Sequence, residues 1–106
     1  MSFDEIVSSV KSVASGVDVS GQAPLAVQIN LTGEGGGVFY IAVKDGKISV
    51  EPYEYNDRDC AITISSDDFV KLAQGKLDPV FAFTMGRLKV DGDIGKALEF
   101  SKFIKK

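Results

Sequence analysis

The sequence contains no histidine among its 106 residues. Histidine is the usual general base near neutral pH and the commonest metal ligand, so most hydrolytic triads are excluded. The single cysteine, Cys60, cannot form an internal disulfide or a cysteine-rich zinc site, and the charge of Asp59 beside it disfavours the thiolate. These absences argue against common enzyme chemistry and favour a reduced, intracellular setting.

The chain also lacks long apolar runs and an excess of positive charge. No apolar stretch approaches the roughly 18 residues that cross a bilayer, and no basic start followed by an apolar run resembles a signal peptide. The C-terminus, Phe103-Ile104-Lys105-Lys106, lacks the Ser-Lys-Leu peroxisomal ending. Twelve basic and fifteen acidic residues give a net charge of −3. We therefore predict a cytoplasmic protein that does not bind nucleic acid.

The residues that are present have the composition of an ordinary globular protein. Apolar residues make up 44% of the chain and charged residues 25%. This mixture is well away from the disordered and fibrous classes, and the length is that of one domain. We expect residues 1–106 to form a single domain.

Hydrophobic periodicity predicts nine elements in the order αββββααβα. The predicted helices cover residues 3–15, 66–74 and 80–85 and the segment after Asp93; the predicted strands cover residues 25–32, 38–43, 48 to near 52, 59–65 and 87–91. The first four strands are expected to pair in sequence as an antiparallel meander. The predicted fold class is α+β, with a five-stranded, largely antiparallel sheet and helices covering one face.

Capping residues mark where the predicted helices begin. Ser2 with Glu5, and Ser65 with Asp68, are spaced as capping boxes. Asp78 is expected to be the N-cap of a helix with Pro79 at its first position, and Asp93 that of the last helix.

Two short motifs have alternative interpretations. The glycine run from Gly33 to Gly37 is followed by a strand and no Walker lysine, which favours a hairpin connection over a phosphate loop. Carboxylates crowd one strand end and loop, at Glu51, Glu54, Asp57 and Asp59. They could serve acid–base chemistry, but a solvated acidic rim is the better interpretation because no apolar pocket is indicated around them.

Aromatic residues are concentrated in the last third of the chain. Five of the seven phenylalanines lie between Phe69 and Phe103. An ordinary core would explain them, since apolar stripes usually bury themselves. However, the predicted helix of residues 80–85 is apolar on more than one face, and the last helix carries Phe100 beside its apolar face. These helices offer more apolar surface than one sheet face can cover, which favours a ligand cavity or a protein partner that covers the rest.

The order and spacing of residues in the same region resemble those of the sterol carrier protein 2 family. The resemblance lies in the run DFVKLAQGKLDP (68–79), continued by AFTMGRLKVDGD (82–93). In that family a short helix ends in Gly-Lys, an Ala-Phe helix follows, and Gly-Lys-Leu-Lys-Ile leads to the final helix; Arg87 replaces the first lysine of that last motif. The N-terminal half matches only in its order of elements.

The resemblance implies an apolar tunnel between a five-stranded sheet and its helices. Its ligands would be sterols, fatty acids, fatty acyl-CoA or phospholipids, and neither catalytic residues nor a metal or cofactor would be involved. The implied wall residues on the sheet are Phe39, Ile41 and Val50; those on the helical side are Phe69, Leu72, Phe81, Phe83, Met85, Leu98 and Phe103.

The C-terminal helix is the element that is most cheaply displaced to release a ligand. Its lysines, Lys102, Lys105 and Lys106, could contact a lipid headgroup or, transiently, an anionic membrane. We expect a monomeric, non-catalytic carrier. The alternative is a protein-interaction or regulatory module of the same fold that docks a partner through this helix.

Overall fold

The computed structural model describes residues 2–104, and their side chains as far as Ser101. It contains four helices and five strands in the predicted order αββββααβα. These elements are α1 (Phe3–Ser15), β1 (Leu25–Thr32), β2 (Gly37–Lys44), β3 (Lys47–Glu51), β4 (Cys60–Ser65), α2 (Ser66–Ala73), α3 (Pro79–Thr84), β5 (Leu88–Gly92) and α4 (Ile94–Ile104).

Helix α1 begins with the predicted capping box. The Glu5 amide donates to the Ser2 hydroxyl at 3.2 Å, and the Ser2 amide donates to the Glu5 carboxylate at 2.9 Å. Helical spacing then brings Ile6, Val10 and Ala14 onto one face, and all three are buried. The local pattern thus determines both the start of α1 and the face that packs on the sheet.

The sheet has the strand order β3-β2-β1-β4-β5 and is mixed. Strands β1, β2 and β3 form an antiparallel meander, but the prediction that β4 extends it is wrong, because β4 pairs in parallel with β1. Residues Cys60 to Ile62 are buried at successive positions, so both faces of β4 are covered, as suits an interior strand. Strand β5 then closes the sheet antiparallel to β4.

The connection from β3 to β4 packs on the sheet face that carries no helices. The centroids of the Tyr55 and Tyr40 rings are 4.7 Å apart, and the Tyr55 amide donates to Gln28 Oε1 at 3.0 Å. At its end the Asp59 carboxylate accepts a hydrogen bond from the Ala26 amide at 2.8 Å. One of the carboxylates of the expected acidic rim therefore anchors the crossover to the central strand.

The helices cover the other face, as predicted. Alternation along β1, β2 and β4 directs Ile29, Phe39, Ile41, Ile62 and Ile64 to this side, and all are buried. Helix α1 packs near β3, α2 and α4 near β1 and β4, and α3 near β5. The apolar core lies between these two layers.

Three further helix starts follow the expected capping residues. The Asp68 amide donates to Ser65 Oγ at 3.1 Å, the Phe81 amide to the Asp78 carboxylate at 2.9 Å, and the Lys96 amide to the Asp93 carboxylate at 3.1 Å. The Asp68 carboxylate accepts two hydrogen bonds from the Arg87 guanidinium and also interacts with the side chain of Ser65, the N-cap of α2. None of the helices described is long and apolar enough to cross a membrane.

Candidate functional site

An apolar cavity, here called cavity B, has a volume of about 240 Å³ and lies between the sheet and helices α2, α3 and α4. Its floor consists of strand residues, and its walls are side chains from the three helices. The lining residues are Ile29, Ile62, Ile64, Phe69, Leu72, Pro79, Val80, Phe83, Leu88, Val90, Ile94, Ala97, Leu98, Phe100 and Ser101. Within this lining only Ser101 is polar, and its hydroxyl donates to the Leu98 carbonyl at 2.7 Å.

The opening of cavity B is rimmed by apolar side chains that remain accessible to solvent. Phe83 and Val80, three residues apart on α3, are 44% and 55% exposed. Ile94 and Leu98, four residues apart on α4, are exposed to a similar degree. Because large apolar side chains normally avoid such exposure in a group, this rim marks a contact surface or an entrance.

Cavity A has a volume of about 170 Å³ and lies between α1, α2 and the other half of the sheet. Its lining residues are Ile6, Ser9, Val10, Val13, Ala14, Val17, Ile41, Ile48, Phe69, Val70, Ala73, Gln74 and Phe100. The two polar members, Ser9 and Gln74, are both exposed, so they lie on the open side of the cavity. Cavity A thus combines an apolar interior with a polar edge.

Phe69 and Phe100 line both cavities. Each side chain is 2% exposed. The Phe69 ring contacts Phe39 edge-on, with ring centroids 5.7 Å apart, and Phe39 contacts Phe3 in the same manner at 6.2 Å. The two phenylalanines therefore form a partition between cavity A and cavity B.

The residues implied by the family resemblance fall into three groups. Ile41 and Phe69 line cavity A, and Phe69, Leu72, Phe83 and Leu98 line cavity B. Phe39 and Val50 are buried in the core behind the walls. Phe81 and Met85 are 50% and 61% exposed and lie outside both linings. The side chain of Phe103 lies outside the described residues, and contact of any of these residues with lipid stays a prediction.

Sequence reasoning missed the contribution of α1. Its apolar face supplies Ile6, Val10, Val13 and Ala14 to cavity A. The helical period identified this face as buried, but a buried stripe has the same pattern whether it meets a packed core or a cavity wall. Phe100 was part of the predicted aromatic cluster, yet its position between the cavities depends on the docking of α4.

Polar chemistry is sparse in this part of the molecule. Burial, with a smaller contribution from the Asp59 charge, raises the pKa of the Cys60 thiol to about 11. The Arg87 guanidinium forms two hydrogen bonds to Asp68, at 2.6 and 3.1 Å, and holds the pKa of that carboxyl below its ordinary value. Within residues 2–104 no cluster of three potential metal ligands is found.

A model of the SCP-2 sterol transfer family matches residues 19–105 of the chain. The chain belongs to the SCP-2 sterol transfer family. Among curated relatives, mouse hydroxysteroid dehydrogenase-like protein 2 is 38% identical over 78 residues, which are 73% of this chain and 16% of the relative. Human sterol carrier protein 2 is 41% identical over 69 residues, or 63% of this chain and 13% of the relative. This SCP-2 family chain thus spans less than a fifth of either relative.

The fold of the SCP-2 family is also found among solved structures. The solution structure of palmitated SCP2L2 from Aedes aegypti superposes with a TM-score of 0.76 and 21% identity. The superposition covers 100% of this chain and 96% of the mosquito protein. The α+β arrangement with its mixed five-stranded sheet is therefore that of the family.

Proposed function

We propose that the protein binds lipids with long hydrocarbon chains reversibly, between its sheet and its helices, and transfers them without catalysis. The observation that carries this proposal is cavity B, an open-ended volume with an almost wholly apolar lining and an apolar rim. A hydrocarbon chain is the ligand that gains most from such a lining, because no unpaired polar group is created on either side. The palmitated mosquito relative, which shares the fold, supports the same ligand class.

Burial of hydrocarbon supplies enough free energy for useful affinity. Each methylene removed from water contributes about 0.8 kcal/mol. A palmitoyl chain therefore offers on the order of 10 kcal/mol before the costs of ordering are subtracted. Micromolar binding requires no further interaction, and we expect moderate affinity with broad tolerance of chain type.

A non-catalytic role is consistent with the chemistry of the described residues. Cys60 is buried and its raised pKa keeps it protonated near neutral pH. The carboxylate of Asp59, the preceding residue, accepts a hydrogen bond from the Ala26 amide. The dehydrogenase-like relatives are much longer than the part matched here, so we propose that their shared segment is a lipid-binding module.

The test is a titration with a fluorescent fatty acid, using two variants of helix α3. Phe83→Ala removes a side chain that lines cavity B, whereas Phe81→Ala removes the same group, similarly exposed, from outside the lining. We expect saturable binding by the parent protein. Phe83→Ala should weaken it roughly 10-fold, the equivalent of about two lost methylene contacts, and Phe81→Ala should leave it within about twofold.

Equal effects of the two variants, or no saturable binding by the parent protein, would contradict the proposal. Native mass spectrometry of the purified protein provides a second readout. Co-purified lipid supports the carrier function. An empty protein that binds no added lipid would instead favour the alternative interpretation, a module that docks a partner through its apolar rim.

A further inference from the structure

The sheet face that carries no helices presents three tyrosines, Tyr40, Tyr53 and Tyr55, here called the tyrosine face. Tyr40 points to this side from β2, because its neighbours Phe39 and Ile41 point into the core. Tyr53 and Tyr55 belong to the crossover from β3 to β4, and the Tyr55 and Tyr40 rings pack together at an interplanar angle of 35°. Tyr53 is 64% exposed. A large aromatic side chain that is exposed beside two others favours a contact surface for a partner.

The crossover that carries two of these tyrosines is strongly acidic. Residues 51–59 contain four carboxylates and one arginine, a net charge of −3 that equals the net charge of the whole chain. Asp59 is hydrogen-bonded to β1, and Glu51 forms an ion pair of 4.0 Å with a lysine of α1. Glu54 and Asp57 are exposed and belong to none of the ion pairs found among the described side chains. Their charges are therefore accessible to a partner.

The electrostatic potential at the tyrosine face favours a cation. The pairing of β2 with β3 places Glu51 directly opposite Tyr40. Burial, with smaller contributions from the Glu51 charge and from the other two phenols, raises the pKa of Tyr40. The faces of the aromatic rings carry partial negative charge of their own. Rings and carboxylates together attract a cationic group, and they repel nucleic acid or an anionic membrane.

Hydrogen bonds hold the crossover in place before any partner binds. The Tyr55 amide donates to Gln28 Oε1 at 3.0 Å, and the Arg58 guanidinium donates to the Tyr55 carbonyl at 3.2 Å. Gln28 is 5% exposed, and its side-chain nitrogen donates to Asn30 Oδ1 at 3.0 Å. Because Gln28 is fixed through both of its polar atoms, Tyr55 is held against Tyr40. A partner therefore orders few further groups when it binds, which lowers the entropic cost of association.

We propose that the tyrosine face, with the neighbouring Glu54 and Asp57, is a docking surface for a basic peptide segment of a partner protein. An arginine of that segment lies over the exposed Tyr53 ring, and its guanidinium donates to a neighbouring carboxylate. Arginine suits this surface better than lysine, because its planar group stacks on a ring and keeps its N–H groups free for the carboxylate. The sheet separates this surface from cavities A and B, so the inference goes beyond the lipid-carrier function and does not depend on it.

The test is a fluorescence-polarisation titration of the 106-residue chain with a fluorescein-labelled heptapeptide of alternating glycine and arginine. Two further peptides replace the arginines by lysine and by citrulline, the uncharged analogue of arginine. At low ionic strength we expect saturable binding of the arginine peptide and roughly threefold weaker binding of the lysine peptide. The citrulline peptide should not saturate the protein at concentrations up to about 1 mM.

Two substitutions at Tyr53 test the contribution of the ring. Tyr53→Ala should weaken the arginine peptide roughly two- to fivefold, the effect of one lost cation–π contact at an exposed site. Tyr53→Phe keeps the ring face and should change the affinity by less than about 1.5-fold. Because Tyr53 is 64% exposed, both variants should keep the Tm of the parent protein. Equal affinities of the two variants would contradict a contact with the ring.

Two double variants of equal charge test the contribution of the carboxylates. Glu54→Gln with Asp57→Asn removes two charges beside the tyrosine face. Asp4→Asn with Asp67→Asn removes two exposed charges from the first turns of α1 and α2, in the helical layer. The first pair should weaken the arginine peptide about fivefold, and the second pair less than about twofold. Equal effects would show that only the net charge of the protein attracts the peptide, which would overturn the proposal.

Other occupants of the tyrosine face give results that contradict the proposal. Binding of the citrulline peptide as tight as that of the arginine peptide would identify a neutral partner. Phosphatidylserine vesicles that bind the parent protein but not Tyr53→Ala would identify a membrane surface, and a dimer that Tyr53→Ala dissociates would identify a second copy of the chain. Any of these results, or no saturable binding of the arginine peptide, would overturn the docking surface. Fatty-acid titrations of the same variants should match the parent protein, so lipid binding is judged separately.

Discussion

The environment of a single residue decides whether Cys60 can react. Its side chain is 2% exposed, and it sits opposite Val27 in the parallel pair of β1 and β4. Burial limits the access of a reagent to the sulfur. Burial and the Asp59 charge also raise the pKa of the thiol to about 11, which disfavours the reactive thiolate. A free cysteine of this kind behaves as a small apolar core residue.

Alkylation by iodoacetamide should therefore show a displaced pH profile. In the native protein the rate should rise about tenfold per pH unit until the pKa of Cys60, whereas in urea it should level off near the ordinary value, about 8.5. At about pH 8 we expect native labelling to be at least ~100-fold slower. Cys60→Ala supplies the background, and a native rate that levels off near pH 8.5 would contradict the raised pKa.

The raised pKa of Cys60 also contributes to the free energy of unfolding. The sign of this contribution follows from comparing the pKa of the thiol in the folded and unfolded states. The neutral thiol is the form that the folded state prefers, so the contribution is fully present below the ordinary thiol pKa. It is lost as the pH rises from there through the raised value, because the unfolded chain then releases a proton that the folded chain retains.

At the scale of elements, β5 depends on the glycines at its two ends. Gly86 and Gly92 both have positive φ, at 76° and 106°. A Cβ at Gly86 would meet no atom within 4 Å, but one at Gly92 would lie 2.7 Å from the Asp59 carbonyl oxygen and 3.0 Å from the Cys60 Cα. The close approach of β4 and β5 at this point leaves room only for glycine.

We predict that Gly86→Ala and Gly92→Ala differ in their cost. Gly86→Ala should lower the free energy of unfolding by about 1 kcal/mol through its backbone conformation alone. Gly92→Ala should lower it by roughly 2 to 4 kcal/mol, because the added atom also overlaps backbone that cannot move aside. Urea unfolding curves measure both, and equal costs would show that β4 moves aside freely.

The contact between α2 and the start of β5 shows how one element holds another near the cavities. Arg87 binds Asp68 through two nitrogens, a geometry that a lysine cannot reproduce. The arginine at this position in the family-like run thus ties the turn before β5 to α2.

At the scale of the whole molecule, the unfilled cavities lower the stability of the ligand-free protein. Unfilled apolar space forgoes contacts that a ligand restores, so lipid binding and stability are linked. At a palmitate concentration about 100 times its Kd, linkage adds about 2.7 kcal/mol to the free energy of unfolding. For a domain of this size, that corresponds to a rise in Tm of roughly 10 °C or more.

A thermal melt of delipidated protein with palmitate measures this directly, with acetate at equal concentration as the control for the carboxylate. We expect acetate to leave Tm unchanged. Saturable probe binding without any rise in Tm would mean that the ligand binds folded and unfolded chains alike, which an internal site does not allow.

The sequence by itself determined the elements of this protein. The capping residues Ser2, Ser65, Asp78 and Asp93 each start a helix, and the alternation of Val27, Ile29 and Leu31 defines the inner face of β1. These signals depend on neighbours a few residues away, which is why they can be read from one sequence. The family-like run from Asp68 to Asp93 likewise indicated the fold.

Only the tertiary structure decided which elements meet. The alternating pattern of β4 is the same whether it pairs with β3 or, as observed, with β1, which lies much earlier in the chain. For the same reason the periodicity of α1 could not show that it lines a cavity, nor could the aromatic cluster show that Phe69 and Phe100 divide it. A side chain's pattern records that it is buried, whereas packing between distant segments decides what it is buried against.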